Sequence, residues 1–244
     1  MSTAALPMTN DERQLLSYRA TLRSEGYLLL RNVVRWDAFD TFEAYLLREL
    51  RKGVRRDRAR YGAAISTIQQ PLVAKMLANK RYLRENLYEL VKVSDQLGGF
   101  ADLVTSSIAE IFPLGEVLFR LTRCRMDLPM DTREYALWHQ DAYYTKQPDA
   151  LTIWVPLQDT FHELGPLKVM PRTHRIGKLD HLKSLSSKRF YVPCANHSAE
   201  VRYVSMSKGD ALLFDAHLLH SGSLNHSSQV RFSVQIRCER FSTL

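Results

Sequence analysis

A helical layer buttressing a mainly β core is the architecture this sequence predicts, and two observations carry it. Apolar residues recur at three- and four-residue spacing as far as about Phe112, and from Val117 onward short extended runs alternate with turn residues. Helices first and strands second imply a helical layer set against a β barrel or sandwich. The chain has 244 residues, 45% of them hydrophobic and 25% charged. That suits one large domain over 1–244, helix-rich to about 112 and β from about 113.

The elements follow in order. Asn10 or Asp11 is placed to cap a first helix through Leu15, Leu16, Tyr18 and Leu22, which ends near Gly26. Tyr27 to Val34 reads as a strand. Trp36, Phe39, Phe42, Tyr45, Leu46 and Leu50 mark an amphipathic second helix. Further helices fit Pro71 to Leu77, Tyr82 to Leu97 and Phe100 to Ile111. The strand candidates are Val117 to Met126, Tyr135 to His139, Ala150 to Leu157, Pro166 to Pro171, Val201 to Met206, Ala211 to Asp215 and Val230 to Cys238. Gly165-Pro166, Lys208-Gly209-Asp210 and Ser221-Gly222-Ser223 punctuate them.

Composition excludes several function classes. No apolar run approaches the roughly 20 residues of a membrane span, and Met1 to Asn10 has no signal-peptide pattern. Cys124, Cys194 and Cys238 form neither a disulfide framework nor a C-x-x-C clamp, so a reducing cytoplasm is the simplest compartment. The net charge is +8, and seven of the thirteen residues from Arg48 to Arg60 are Lys or Arg. Such a run is ordinarily a solvated helix end. Nucleic acid is disfavoured as a partner, because no aromatic residue in that run can stack on bases.

Chemistry concentrates at Trp138-His139-Gln140-Asp141. On a strand His139 and Asp141 share a face while Gln140 turns from them. A second imidazole from His220, 81 positions on, completes two histidines and one carboxylate. That set, with open positions left for a bidentate co-substrate and dioxygen, characterises non-haem Fe(II) oxygenases. Zinc accepts similar ligands, but the helical H-E-x-x-H arrangement of zinc proteases is missing. His217 competes with His220 for the distal position. Three residues apart on a strand they face opposite ways, and the small residues after His220 give it better access. His217 therefore reads as structural, as do His162, His174, His181, His197 and His226. Arg231 lies 11 residues beyond His220 and shares a strand face with Ser233. Together they are suited to the carboxylate of an acid co-substrate; an Arg buried against an Asp or Glu is the bland alternative.

These residues, in this order, resemble the phytanoyl-CoA dioxygenase family of Fe(II)- and 2-oxoglutarate-dependent oxygenases. The resemblance rests on Ser24 to Val34, on Trp138 to Asp141, on Leu151 to Arg175, and on Lys208-Gly209-Asp210 through Gly222 with Arg231. It implies a double-stranded β-helix (jelly roll, cupin-like) with iron held by His139, Asp141 and His220. It also implies that Arg231 anchors the far carboxylate of 2-oxoglutarate with Ser233 assisting, and that Gln140, Thr152 and Trp154 lie near the co-substrate. The expected reaction is hydroxylation of an unactivated C–H bond in a small-molecule metabolite, a tailoring step of biosynthesis, with O2 as oxidant. Desaturation, cyclisation and epimerisation use the same ligands, and a β-helix that has lost turnover and serves as a binding module is the reading from another class.

Two stretches depart from the pattern. Pro171-Arg172-Thr173-His174 stands where relatives often have Pro-Gly-Ser-His. Leu179 to Glu200 has no clear counterpart and reads as a lid. Tyr143, Tyr144 and Lys146 are candidates for the pocket mouth. Arg123 and Arg125 could hold an acidic group, but ion pairing is the favoured reading. The substrate expected is a small molecule, acidic or carrier-linked in keeping with the positive charge, and its identity does not follow from the residues.

Overall fold

Thr9 begins the first helix, one residue ahead of the expected cap. Its hydroxyl accepts from the Glu12 backbone N–H at 3.2 Å while the Glu12 carboxylate accepts from the Thr9 N–H, a reciprocal capping box. The helix α1 (Asn10–Glu25) stops at Gly26 with φ +83°. A side chain there would both strain the backbone and strike the His174 ring, so glycine is required. In the computed structural model the described residues are 9–53, 65–115, 121–132, 137–145, 150–184, 190–193 and 200–239.

The chain continues with β1 (Tyr27–Leu30), α2 (Trp36–Gly53), α3 (Pro71–Asn79), α4 (Arg81–Lys92), α5 (Asp95–Ala109) and β2 (Arg123–Asp127). Then come α6 (Asp141–Thr145), β3 (Ala150–Pro156), β4 (Leu167–Val169), a 3-10 turn at Thr173–Ile176, β5 (Leu182–Lys183) and β6 (Phe190–Tyr191). The last four strands are β7 (Arg202–Val204), β8 (Ala211–Asp215), β9 (His220–Gly222) and β10 (Arg231–Glu239).

Two expected helix limits move. The break between α4 and α5 falls at Ser94 rather than at Gly98-Gly99, because the Ser94 hydroxyl accepts from the Leu97 N–H and caps α5. Both glycines lie inside α5. The expected strands 117–126 and 135–139 fall partly outside the described residues. What is described of the second is an isolated bridge at His139, and Asp141 opens a short helix instead of continuing a strand.

The strands form two facing antiparallel sheets, a jelly roll. The larger runs β1-β8-β3-β10-β2 and the smaller β7-β4-β9. Alternation along the large sheet separates two apolar layers. Leu28, Leu151, Ile153, Val155, Leu213, Val234 and Ile236 face the helices and share a core with Phe39, Phe42, Leu46 and Phe100. Trp154, Leu212 and Phe214 face inward and meet Leu167, Val169 and Val204 of the small sheet. The Phe42 and Phe100 rings lie 4.9 Å apart, and Phe39 meets Phe100 edge-on at 5.6 Å, a contact that fixes α2 on α5.

Cys124 and Cys238 are free thiols in the helix-facing layer, and burial pushes both up to about 12, so they behave as small apolar residues. Cys194 lies outside the described residues. Among the described residues no helix is long and apolar enough to cross a membrane. In the basic run, Arg48 and Lys52 both meet Glu49, and Arg51 donates to the Ile65 carbonyl; residues 54–60 lie outside the described part.

Arg172 stands where the resemblance often has glycine, and its φ is +68°. The turn is left-handed there although arginine does not favour that region. Its guanidinium approaches Glu25 and Glu200 at 3.7 Å.

Lys208-Gly209-Asp210 proves to be a joint between layers. The Asp210 carboxylate accepts from Arg31 at 2.7 Å and from the backbone N–H groups of Asn32 and Ser207 at 2.9 Å each. Because Arg31 is 60% exposed, Asp210→Ala releases it to water but leaves the two backbone N–H groups without their acceptor. We expect a loss of about 1–3 kcal/mol, to be measured by urea unfolding; a loss under about 0.5 kcal/mol would contradict this role.

Candidate metal centre

His139 and His220 belong to segments far apart in sequence, and a reciprocal pair of backbone hydrogen bonds joins them. Each residue's N–H donates to the other's carbonyl at 3.1 Å. This bridge adds His139 to the edge of the small sheet beside β9, whose other edge pairs with β4. The imidazole centroids come to 4.2 Å.

The ring tautomers follow from the backbone. His139 Nδ1 lies 2.7 Å from the Leu137 carbonyl and His220 Nδ1 lies 3.0 Å from the Leu218 carbonyl. A carbonyl only accepts, so each Nδ1 carries the proton and each Nε2 presents its lone pair. Both Nε2 atoms stand 3.9 Å from the same oxygen, Asp141 Oδ1. His220 Nε2 is buried and has no hydrogen-bond partner among the described residues. One ligand atom from each of the three residues falls within a 4.8 Å span. The donor set, the exposed lone pairs and the orphaned Nε2 all fit a divalent transition metal.

Asp141 reaches this position from the first turn of α6, not from strand alternation with His139. Two side chains fix its carboxylate. Thr152 on β3 donates to Oδ2 at 2.6 Å, and Arg237 on β10 donates to Oδ1 at 2.9 Å. Burial pushes the Asp141 carboxyl up, but the Arg237 guanidinium and the two imidazoles outweigh it and hold the group below the usual carboxylate range. Burial, and then the neighbouring His220, lower His139 to about 3; burial lowers His220 as well.

Thr152 thus contacts the site directly, whereas Arg237 was not foreseen. Its signal was the two-residue period of β10, which places Arg231, Ser233, Gln235 and Arg237 on one face. Gln140 points away from the three ligands, as alternation suggests. Its amide donates to the carbonyls of Gly177 and His217 at 2.8 and 2.7 Å and accepts from the Leu179 N–H at 2.8 Å. Trp154 is buried in the apolar layer between the sheets. His217 sits beside Asp215 at 3.4 Å, clear of the three ligands.

Arg231 and Ser233 lie on the inner face of β10, opposite Asp127 and Arg125 of β2. Arg231 Nη2 meets Asp127 at 3.0 Å, and Nη1 donates to the carbonyls of Gly165 and Ser223. The bland pairing is therefore present. Even so, Arg231 Nε and Ser233 Oγ are both buried with no hydrogen-bond partner among the described residues, two positions apart on one face. Buried donors without a partner call for one, and Arg237 Nε on the same face is a third such group. Gly165 (φ +84°) admits the guanidinium, since a Cβ there would lie 3.0 Å from Nη1 and closer still to two carbonyls. Arg125 pairs with Asp127 at 2.9 Å, as the ion-pair reading expects.

The segment expected as a lid contributes the small hairpin β5–β6. It is pinned to the metal-ligand segment. Val192 N–H donates to the Trp138 carbonyl at 2.8 Å, Gln140 N–H donates to His181 Nε2 at 3.1 Å, and Tyr143 stacks on His181 at 4.4 Å. Tyr144 bonds the Phe190 backbone and turns its ring edge to His139, with centroids 5.7 Å apart. Residues 146, 185–189 and 194–199 lie outside the described part.

Comparison with known proteins supplies the family and the fold. The family profile described as phytanoyl-CoA dioxygenase (PhyH) matches residues 22–233. The 1-deoxypentalenic acid 11-beta-hydroxylase of Streptomyces exfoliatus is 28% identical over 116 residues, which are 43% of this chain and 41% of that protein. The match thus spans about two fifths of that curated relative's length. Among solved structures, the non-heme monooxygenase ThoJ has a TM-score of 0.58 at 18% identity, covering 91% of this chain and 76% of that one. The non-heme alpha ketoglutarate dependent carbocyclase SnoK has a TM-score of 0.54 at 18% identity, covering 95% and 86%. At such identities these likenesses establish the fold alone.

The depressed histidines set a pH dependence. The unfolded chain takes up their protons near pH 6.5, whereas the folded protein refuses them down to about 3 at His139. The stability they favour is complete above pH 6.5 and is lost as pH falls toward the folded value. Metal-free protein should therefore lose about 2 kcal/mol by pH 5 through His139 alone. Calorimetric melting from pH 7.5 to 5 tests this, with His139→Gln flattening the profile; an unchanged profile in the variant would count against it.

Proposed function

The chain belongs to the phytanoyl-CoA dioxygenase family, and from that membership we propose that it is an Fe(II)- and 2-oxoglutarate-dependent oxygenase hydroxylating an unactivated C–H bond of a small-molecule metabolite. The observation that carries this reading is the convergence of His139 Nε2, His220 Nε2 and Asp141 Oδ1, at 3.9 Å from each nitrogen to the oxygen. Iron(II) held there, with 2-oxoglutarate and dioxygen, supplies the oxidising power that no protein side chain has.

The chain's own residues do the rest. The Leu137 and Leu218 carbonyls keep both imidazoles in the tautomer that offers Nε2, and Thr152 aims the Asp141 carboxylate. In this reading Arg231 Nε and Ser233 Oγ donate to the far carboxylate of the co-substrate, and the burial of the β10 face keeps competing water from it. Tyr144, 43% exposed and edge-on to His139, is placed as a wall of the substrate site. Desaturation, cyclisation and epimerisation are alternative outcomes that the same ligands allow.

Three variants test the assignment. His220→Ala should weaken Fe(II) binding by about 100-fold or more, as lost ligands do, read by anaerobic calorimetry. Arg231→Lys keeps the charge opposite Asp127 but loses the fork, and Ser233→Ala removes one donor. Each should raise the KM for 2-oxoglutarate about 10-fold, equivalent to about 1.4 kcal/mol, with succinate release as the readout. Succinate formed at wild-type KM by both would remove Arg231 and Ser233 from the co-substrate site. Absence of any succinate, coupled or uncoupled, would leave a binding module.

A further inference from the structure

Among the described residues, Arg237 is the Lys or Arg that pairs with the three proposed ligands. Its Nη2 lies 2.9 Å from Asp141 Oδ1, the same oxygen that both histidine Nε2 atoms face. The guanidinium cannot swing freely, because Nη1 donates to the Leu121 carbonyl at 2.7 Å and Nη2 also reaches Gln235 Oε1 at 3.3 Å. Both partners of the pair are withdrawn from water, with side-chain exposures of 9% and 1%. Burying the Asp141 charge without a partner would cost several kcal/mol, so metal-free protein depends on this contact. Orientation, by contrast, has a separate source, the Thr152 hydroxyl on Oδ2. What Arg237 adds is charge, delivered to the oxygen that faces both histidine Nε2 atoms.

We propose that Arg237 is an internal counter-cation for Asp141: it keeps the metal-free site folded, and it weakens the site's hold on a divalent cation by opposing that cation at one shared oxygen. The inference rests on the reading of His139, Asp141 and His220 as metal ligands. Its consequences have opposite signs in the two states. Without metal, Asp141 and Arg237 sum to zero charge. With a divalent ion the cluster becomes +2, and without the arginine it would be +1. The guanidinium therefore repels the ion but favours a doubly negative ligand arriving afterwards. A guanidinium that merely held Asp141 in place would act in one direction only, and its loss would weaken metal binding.

Co(II) is the probe, followed by its visible absorption and by calorimetry, with melting of the metal-free protein in parallel. Arg237→Gln keeps hydrogen-bond donors without the charge, Arg237→Met removes both, and Arg237→Lys retains charge with altered geometry. We expect Gln and Met variants to melt lower without metal, to bind Co(II) about 10-fold tighter or more, and then to bind 2-oxoglutarate about 10-fold more weakly in the loaded state. Lys should bind Co(II) as the wild type does. Should the Met variant fail to fold, the Gln variant decides. Unchanged or weaker Co(II) binding in Arg237→Gln, with normal binding in the wild type, overturns the counter-cation role alone. Failure of the wild type to bind Co(II) sinks the metal-site reading and this inference together.

Discussion

Two backbone hydrogen bonds between His139 and His220 are the constraint on which the site depends. They close the small sheet against a segment that is otherwise a loop, and in doing so set two imidazoles side by side. Each ring is then locked by a carbonyl two residues before it, Leu137 for one and Leu218 for the other. The same local geometry thus occurs twice, and the bridge brings the two copies together. A metal site assembled this way needs little from rotamer preference, since the backbone dictates both tautomer and direction.

That precision requires a rigid support, which the helical layer supplies. Large apolar side chains of α2 and α5 fill one face of the large sheet, and the opposite face is free to carry polar groups. β10 is the clearest case. Its even-numbered residues Phe232, Val234, Ile236 and Cys238 are core, while Arg231, Ser233, Gln235 and Arg237 form an inward polar row. Buried polar rows of this kind are costly unless partners satisfy them, so the placement of two arginines and a serine there argues for chemistry over stability. The hairpin β5–β6 and the amide of Gln140 brace the remaining side, tying the ligand segment to Gly177, Leu179 and Val192.

Much of this was legible in the residues. Ala211 to Asp215 is a strand with the limits its apolar run implies, and the switch from helical to extended periodicity marks the boundary between layers. The three residues that converge were legible because their chemistry is scarce and their order is distinctive. What could not be read were local competitions. Ser94 outbid Gly98-Gly99 as a helix boundary because its hydroxyl caps a backbone N–H, whereas glycines inside a packed helix need not end it. Asp141 lies on a helix rather than a strand because the segment bridges to its neighbour only at His139 and no ladder continues past it. Arg172 holds a left-handed turn against its own preference because the surrounding loop, not the residue, sets that conformation.

The arginines show why contacts refine an argument from spacing. Arg231 was singled out by its distance from His220, yet its Nη2 already faces Asp127, and its fitness for a diacid rests on one nitrogen and a nearby hydroxyl that lack partners. Arg237 follows six residues later on the same face, and it is this one that touches a ligand carboxylate. Strand periodicity makes the two equivalent; only their partners separate them. A guanidinium beside a neutral ion pair is suited to receive an anion, while one paired with a ligand oxygen modulates whatever cation that oxygen binds. The inner face of β10 therefore divides its two positive charges by neighbour, one beside Asp127 and one beside Asp141.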